Sequence, residues 1–175
     1  MAERVTIHGP AAVKEALARM GSSILERRED APVFVGIRRG GLTVSELLQD
    51  IVASQTGERP MAGIIDINLY RDDWTLARAF PKVGKTEIPF SVEGKRVLLV
   101  DDVLFTGRTV RAALEALTEF GRSKSVELAV LVDRGRREMP IQPDYASFVL
   151  ETTSQETVEV SFTENGEGEV VLFRP

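Results

Sequence analysis

The sequence predicts an α/β fold, a parallel-centred sheet flanked by helices, with a β-hairpin at the C-terminal end. Three observations predict it. Short apolar runs of strand length, VFVGI, RVLLVDD and SVELAVLV, are set off by turn residues. Stretches with helical spacing of apolar residues alternate with those runs, and such alternation implies a parallel sheet with helices on both faces. Near the end, TVEVSF, ENGEG and EVVLF follow one another as strand, turn and strand. The chain has 175 residues, and residues 1–175 are read as one domain.

The elements follow in order. Residues 10–28 read as a helix: Pro10 suits a first-turn position, and Val13, Leu17, Met20 and Ile24 share one face. After Pro32, Val33 to Ile37 is a buried strand. Gly36, Gly40 and Gly41 bracket a turn that opens a second helix, roughly Leu42 to Gln55. Ile64 to Leu69 (IIDINL) is a further strand. Tyr70 to Glu87 carries no periodic pattern; a stretch of that length is usually functional, although part of it could form a hairpin. Arg96 to Asp102 reads as a central parallel strand that ends in two acids. Arg108 to Phe120 is a helix with Val110, Ala113, Leu114 and Leu117 on one face, and Ser125 to Val132 is another buried strand. His8 is read as a surface residue near the first helix.

Composition excludes several kinds of chemistry. There is no cysteine, so disulfides, thiolate nucleophiles and iron–sulfur clusters are excluded. One histidine leaves little for a Ser-His-Asp triad or a multi-histidine metal site. A net charge of -5 gives no global pull on nucleic acid, so RNA binding would need a local basic patch. No run of 18 apolar residues and no secretory pattern is present, so a cytoplasmic protein with no membrane partner is expected.

The chemistry concentrates in VLLVDDVLFTGRT, Val97 to Thr109. A buried strand delivers Asp101 and Asp102 to its carboxyl end, where open α/β sheets bind ligands. The turn Phe105–Thr109 then leads into a helix, whose N-terminal amides and dipole suit a phosphate. Two carboxylates would repel an anion on its own. They would instead accept hydrogen bonds from vicinal sugar hydroxyls or hold Mg2+, so a phosphorylated ribose satisfies both halves of the site.

This string resembles the ribose-phosphate motif of type I phosphoribosyltransferases, which use 5-phosphoribosyl-1-diphosphate (PRPP). DINLYRDDW (Asp66 to Trp74), AALEAL (Ala112 to Leu117) and LAVLVDRGRREMPIQPDY (Leu128 to Tyr145) narrow the resemblance. Together they look like the family of bifunctional pyrimidine-operon regulators and uracil phosphoribosyltransferases, PyrR. The likeness runs from about the first helix to Tyr145 and is weaker beyond.

The resemblance implies a type I phosphoribosyltransferase fold and the reaction of uracil with PRPP to give UMP and pyrophosphate. Asp101 and Asp102 would meet the ribose hydroxyls, directly or through Mg2+. Val103, Leu104, Phe105, Thr106, Gly107, Arg108 and Thr109 would form the PRPP cradle, and Arg38, Arg39, Gly40 and Gly41 the pyrophosphate turn. Arg71 would act in catalysis from a lid running to about Lys85. Arg134 and Val158 match positions near the base. Arg19, Arg27, Arg136 and Arg137 are the candidates for binding leader mRNA of a pyrimidine operon, with UMP strengthening the binding. A homodimer or higher homo-oligomer is implied as well.

The chain departs from the family pattern at two places. Arg136 stands where members usually carry His, and Gln142 where they carry Arg. After the Asp-Tyr pair, Ser147 to Thr153 lacks the glycine, lysine, asparagine and proline of the family's base-side segment. Two other readings therefore stay open: an RNA-binding regulator with little catalysis, and a phosphoribosyltransferase for another base.

Overall fold

A computed structural model describes residues 3–27, 30–68 and 85–175. Its main sheet has five parallel strands in the order β3-β2-β4-β5-β6. These are β2 (Val33–Ile37), β3 (Ala62–Ile65), β4 (Arg96–Leu104), β5 (Ser125–Asp133) and β6 (Tyr145–Val149). Three helices pack on it: α1 (Pro10–Glu26), α2 (Gly40–Thr56) and α3 (Arg108–Leu117). A second, antiparallel sheet of three strands, β1-β8-β7, joins β1 (Glu3–His8) to the hairpin of β7 (Thr157–Phe162) and β8 (Gly168–Arg174).

Burial explains the sheet. β4 is central, and Val97 through Val100 are inaccessible to solvent. With helices on both faces, a strand can be apolar at every position, which is why the run does not alternate. Its side chains divide between two cores. Leu98 and Val100 join Val13, Leu17 and Ile24 of α1 and Val44 and Leu48 of α2. Val97 and Leu99 join Val110, Ala113 and Leu117 of α3 on the other face. Burying each such aliphatic side chain contributes about 1.5–3 kcal/mol.

Several elements differ from the sequence reading. α2 begins at Gly40 instead of Leu42, because its two glycines belong to the helix and let it approach β4. A Cβ on Gly41 would lie 2.3 Å from the Val100 carbonyl oxygen. β3 occupies Ala62–Ile65, earlier than the expected 64–69, since only those residues pair with β2. The third helix ends at Leu117 and tightens into a 3-10 turn over Thr118–Phe120. β1 has no counterpart in the sequence reading. His8 ends β1 two residues before α1, near the first helix as expected, but it is half-buried instead of a surface residue, its ring stacked on Phe148 of β6 with centroids 3.8 Å apart. The hairpin forms over the segments read for it.

β2 leads through α2 to β3 on one side, while β4 leads through α3 to β5 on the other. The carboxyl ends of β2 and β4 therefore flank the point where strand order reverses, the place where open α/β sheets hold ligands.

Candidate active site at the carboxyl ends of β2 and β4

A cavity of about 380 Å³ opens at this reversal point. It is lined by Arg38, Arg39 and Gly40 after β2, Asp66, Ile67 and Asn68 after β3, Asp101, Asp102 and Val103 of β4, and Thr109 of α3. The structure thus brings together Arg39, Gly40, Asp101, Asp102, Val103 and Thr109 from segments far apart in sequence.

The two aspartates differ in surroundings. Asp101 is 6% exposed, and its Oδ1 accepts the Asp102 N–H at 2.9 Å. Burial, then the negative charge of Asp102, pushes the Asp101 carboxyl well above the usual carboxylate range. Asp102 is half-buried; its Oδ1 accepts the Val103 N–H at 2.8 Å. It lies under the first turn of α2, where a Cβ on Gly40 would sit 2.0 Å from its Oδ2. Gly40→Ala should therefore displace the Asp102 carboxylate while leaving the backbone in place. Activity should fall by about 10²-fold with little change in melting temperature, read by steady-state kinetics beside a thermal melt. Unchanged kinetics would remove Asp102 from the site.

These carboxylates are hard oxygen donors suited to a hard divalent cation. Among the described residues, no group of three or more His, Cys, Asp or Glu is placed to hold a metal ion. The donor set fits an ion that keeps several waters and shares its remaining positions with a ligand's oxygens, as Mg2+ does.

The Leu104–Gly107 loop is braced from one side. The carbonyl of Leu104 accepts Arg134 N–H at 3.0 Å, that of Phe105 accepts Arg137 Nη1 at 3.0 Å, and that of Thr106 accepts the N–H groups of Glu138 and Met139 at 2.9 Å each. Arg108 Nε meets Glu138 Oε2 at 2.6 Å. Gly107 (φ 88°) turns the chain into α3, a conformation that glycine adopts without strain. The first-turn amides of α3 have no intrahelical partner and favour an anion.

Arg134 is buried, with its guanidinium 3.9 Å from the centre of the Phe105 ring. Its Nε donates to Thr152 Oγ1 at 3.2 Å, and its Nη2 to the carbonyls of Thr153 at 3.4 Å and Glu156 at 2.6 Å. Arg134 thus links the loop to the 152–156 segment. Val158, its expected companion, is buried in the core shared with α1 and α2.

The four arginines expected to meet RNA are not one patch. Arg19 and Arg27 flank a cleft of about 520 Å³ between α1 and β6. Arg19 pairs with Glu15, and Arg27 pairs with Asp144, just before the amino end of β6. Arg136 and Arg137 lie past the carboxyl end of β5. Arg136 donates to the Thr152 carbonyl, and Arg137 to Asp133 and three carbonyls. Leu128, which faces Asp144, and Asp133 at the carboxyl end of β5 are five residues or roughly 17 Å apart along the strand.

Arg71, with the expected lid up to Gly84, lies outside the described residues. Arg38 was named in the sequence reading as part of the pyrophosphate turn, but Asp66 and Asn68 were given no role. A charged residue inside the apolar run IIDIN was the available signal for Asp66.

Comparison with known proteins agrees with this geometry. A family profile described as phosphoribosyl transferase domain matches residues 6–164. A protein of Geobacter sp. (strain M21) named bifunctional protein PyrR is 45% identical over 98% of this chain and 99% of its own length. A protein of the same name from Pelotomaculum thermopropionicum is 46% identical over 98% and 96%. Among solved structures, the hypoxanthine phosphoribosyltransferase of Trypanosoma cruzi superposes with a TM-score of 0.70 at 16% identity, covering 97% of this chain and 96% of that one. A hypoxanthine phosphoribosyltransferase of Staphylococcus aureus gives 0.67 at 20% identity, covering 85% and 79%.

Proposed function

Since the chain belongs to the phosphoribosyl transferase family, within the group named bifunctional protein PyrR, we propose that it is both an enzyme and a regulator. As an enzyme it transfers the phosphoribosyl group of PRPP to uracil, giving UMP and pyrophosphate. As a regulator it binds leader mRNA of a pyrimidine operon when it holds UMP. The observation that carries the reading is the acid pair at the end of β4, set between an arginine turn and a helix N-terminus in one cavity.

In the transfer, the bond from C1′ to the pyrophosphate oxygen breaks, with the bonding pair leaving on pyrophosphate, and a bond from C1′ to uracil N1 forms, the N1 proton passing to the departing pyrophosphate or to water. Asp101 and Asp102 accept hydrogen bonds from the ribose hydroxyls and so place C1′. The amides at the start of α3, with the hydroxyls of Thr106 and Thr109, hold the 5′-phosphate. Arg39 and the amides at Gly40 lie where the departing pyrophosphate needs positive charge. Arg71 joins them on the strength of the sequence motif. Mg2+ would be held indirectly by Asp101 and Asp102, through the substrate or water, and when bound it would supply further charge to the pyrophosphate. The oxocarbenium-like transition state needs no protein nucleophile, which suits a chain with no cysteine and one histidine.

For the regulator, Arg19 and Arg27 support the reading best, being solvent-accessible beside a cleft. The guanidinium of Arg137 is engaged within the chain. The homodimer or larger assembly implied by the resemblance belongs to the same proposal, and the position of β6 as a terminal strand with Val149 74% exposed supports it. A cytoplasmic setting, expected from the sequence, is part of the same proposal. Among the described residues no helix is long and apolar enough to cross a membrane. A second reading, transfer to another base, rests on the altered segment Ser147–Thr153.

The test is product formation from PRPP and Mg2+ with uracil, hypoxanthine or orotate in parallel, followed by retention of leader RNA with and without UMP. Uracil alone should react, and RNA should be retained only with UMP. Product from another base alone would replace the base assignment. Retention indifferent to UMP would remove the regulator.

A further inference from the structure

Asp66 is a buried carboxylate in the site cavity with no role in the transfer as described. Its side chain is 5% exposed. Oδ1 accepts the Asn68 N–H at 3.0 Å. Oδ2 faces Nε of Arg38 at 3.6 Å, and both atoms are buried without a hydrogen-bond partner among the described residues. That separation is longer than a hydrogen bond, so the pair is left open.

The same chain closes a buried pair elsewhere. Arg96 and Glu127 meet at 2.9 and 2.8 Å and use both carboxylate oxygens. The open pair therefore stands out, since buried polar atoms are normally satisfied. Its surroundings hold it from three sides. Arg38 N–H donates to the Ile65 carbonyl at 2.9 Å, Arg38 Nη2 to the Lys85 carbonyl at 3.0 Å, and Asp66 N–H to Thr86 Oγ1 at 2.9 Å. Arg38 is followed by Arg39 and Gly40 in the turn after β2, and these three line the cavity together with Asp66.

We propose that Asp66 is a positioning residue for the transfer, holding the Arg38 guanidinium on the cavity wall beside Arg39 and Gly40, where a diphosphate group departs. The proposal rests on the phosphoribosyl reading above and assigns it a residue. Asp66 tempers the charge of Arg38 without closing on it, so the guanidinium stays available to an anion. Asp66 acts through Arg38 and touches neither sugar nor base.

The experiment is a double-mutant cycle with Asp66→Asn, Arg38→Met and the pair. PRPP, uracil and Mg2+ are varied separately, with thermal melts and calorimetric PRPP binding alongside. Each single change should lower kcat/KM for PRPP about 10- to 100-fold, leaving KM for uracil and the Mg2+ half-saturation unmoved. The double variant should be no worse than the poorer single. If Arg38→Met fails to fold, Arg38→Lys carries the cycle, since lysine keeps the charge and loses the planar fork. Multiplying losses would make the residues independent and overturn the proposal. A shifted Mg2+ dependence in Asp66→Asn would make Asp66 a metal ligand and overturn it, and so would lowered melting with kinetics intact. Wild-type protein that binds no PRPP would sink the phosphoribosyl reading together with this one. Wild type that binds PRPP, with variants equal to it, would sink this one alone.

Discussion

Asp101→Asn is expected to abolish phosphoribosyl transfer and at the same time stabilise the unliganded fold. Transfer should fall by at least about 10²–10³-fold, because one hydrogen-bond acceptor for the sugar is lost where charge and orientation matter most. The stability change has the opposite sign. Asn keeps an oxygen for the Asp102 N–H and has the same shape, but it carries no charge to bury beside Asp102. In the wild type the native carboxyl sits well above the ordinary value of about 3.9, mainly through burial. Between those two pH values the native chain holds a proton that the unfolded chain has lost. The contribution of Asp101 to stability is therefore full below the unfolded value and is lost as pH rises through the native one. Melts in metal-free buffer from pH 4 to 8 should show the variant gaining on the wild type by about 1.4 kcal/mol per pH unit wherever the pH lies between the unfolded and the native value, and no further gain above the native one. At this chain length each kcal/mol moves the midpoint by about 2–4 °C. A variant that melts below the wild type at every pH would mean that Asp101 is not forced to ionise at a cost.

Arg96→Met should cost about 3–5 kcal/mol, enough to lower the melting midpoint by roughly 6–20 °C. Arg96 and Glu127 are buried at neighbouring positions near the amino ends of β4 and β5. The guanidinium binds both oxygens of Glu127, the Tyr145 hydroxyl at 3.2 Å and the Asp30 carbonyl at 2.8 Å. The Tyr145 hydroxyl in turn donates to Glu127 at 2.9 Å. Removing the cation takes the Arg96 charge and two hydrogen bonds from a buried carboxylate, and the poorer compensation of that desolvated charge is the source of the cost. Removing the carboxylate as well, in Arg96→Met/Glu127→Met, should recover part of the loss. The network lies at the opposite end of the strands from the cavity, so kcat/KM of the folded double variant should match the wild type. Equal melting of the single and double variants would contradict the argument from the buried charge.

Arg96 also shows where sequence reading stops. It sits in RVLLVDD as an ordinary flank of an apolar run, and its partner lies 31 positions away in SVELAVLV. Neither string announces the other; register between β4 and β5 puts them in reach. β1 is a similar case. Its six residues carry no turn signal, and its partner β8 is at the far end of the chain, so its strand state comes from pairing and not from local preference. The hairpin of β7 and β8 was legible because both strands and their turn are contiguous.

The site divides along the same line. Asp101, Asp102 and the turn into α3 were legible, since a buried strand, an acid pair and a helix start follow within thirteen residues. Gly40 and Gly41 were legible as glycines but were read as a turn, whereas they permit close approach of α2 to β4. The arginines of 134–137 read as a basic cluster. Packing gives three of them internal partners and puts Arg19 and Arg27 at the other end of the sheet.

The sequence by itself determined the alternation of strands and helices, the two-faced burial of β4 and the delivery of an acid pair to a helix start. These depend on hydrophobic period and on neighbours a few residues apart, which the chain carries locally. Only the tertiary structure decided the placing of Asp66 against Arg38, the inward use of Arg134 and Arg137, the closing of the Arg96 network and the pairing of β1. Each is a contact between segments distant along the chain, made by strand order and packing, and local pattern holds no information about which distant group will arrive.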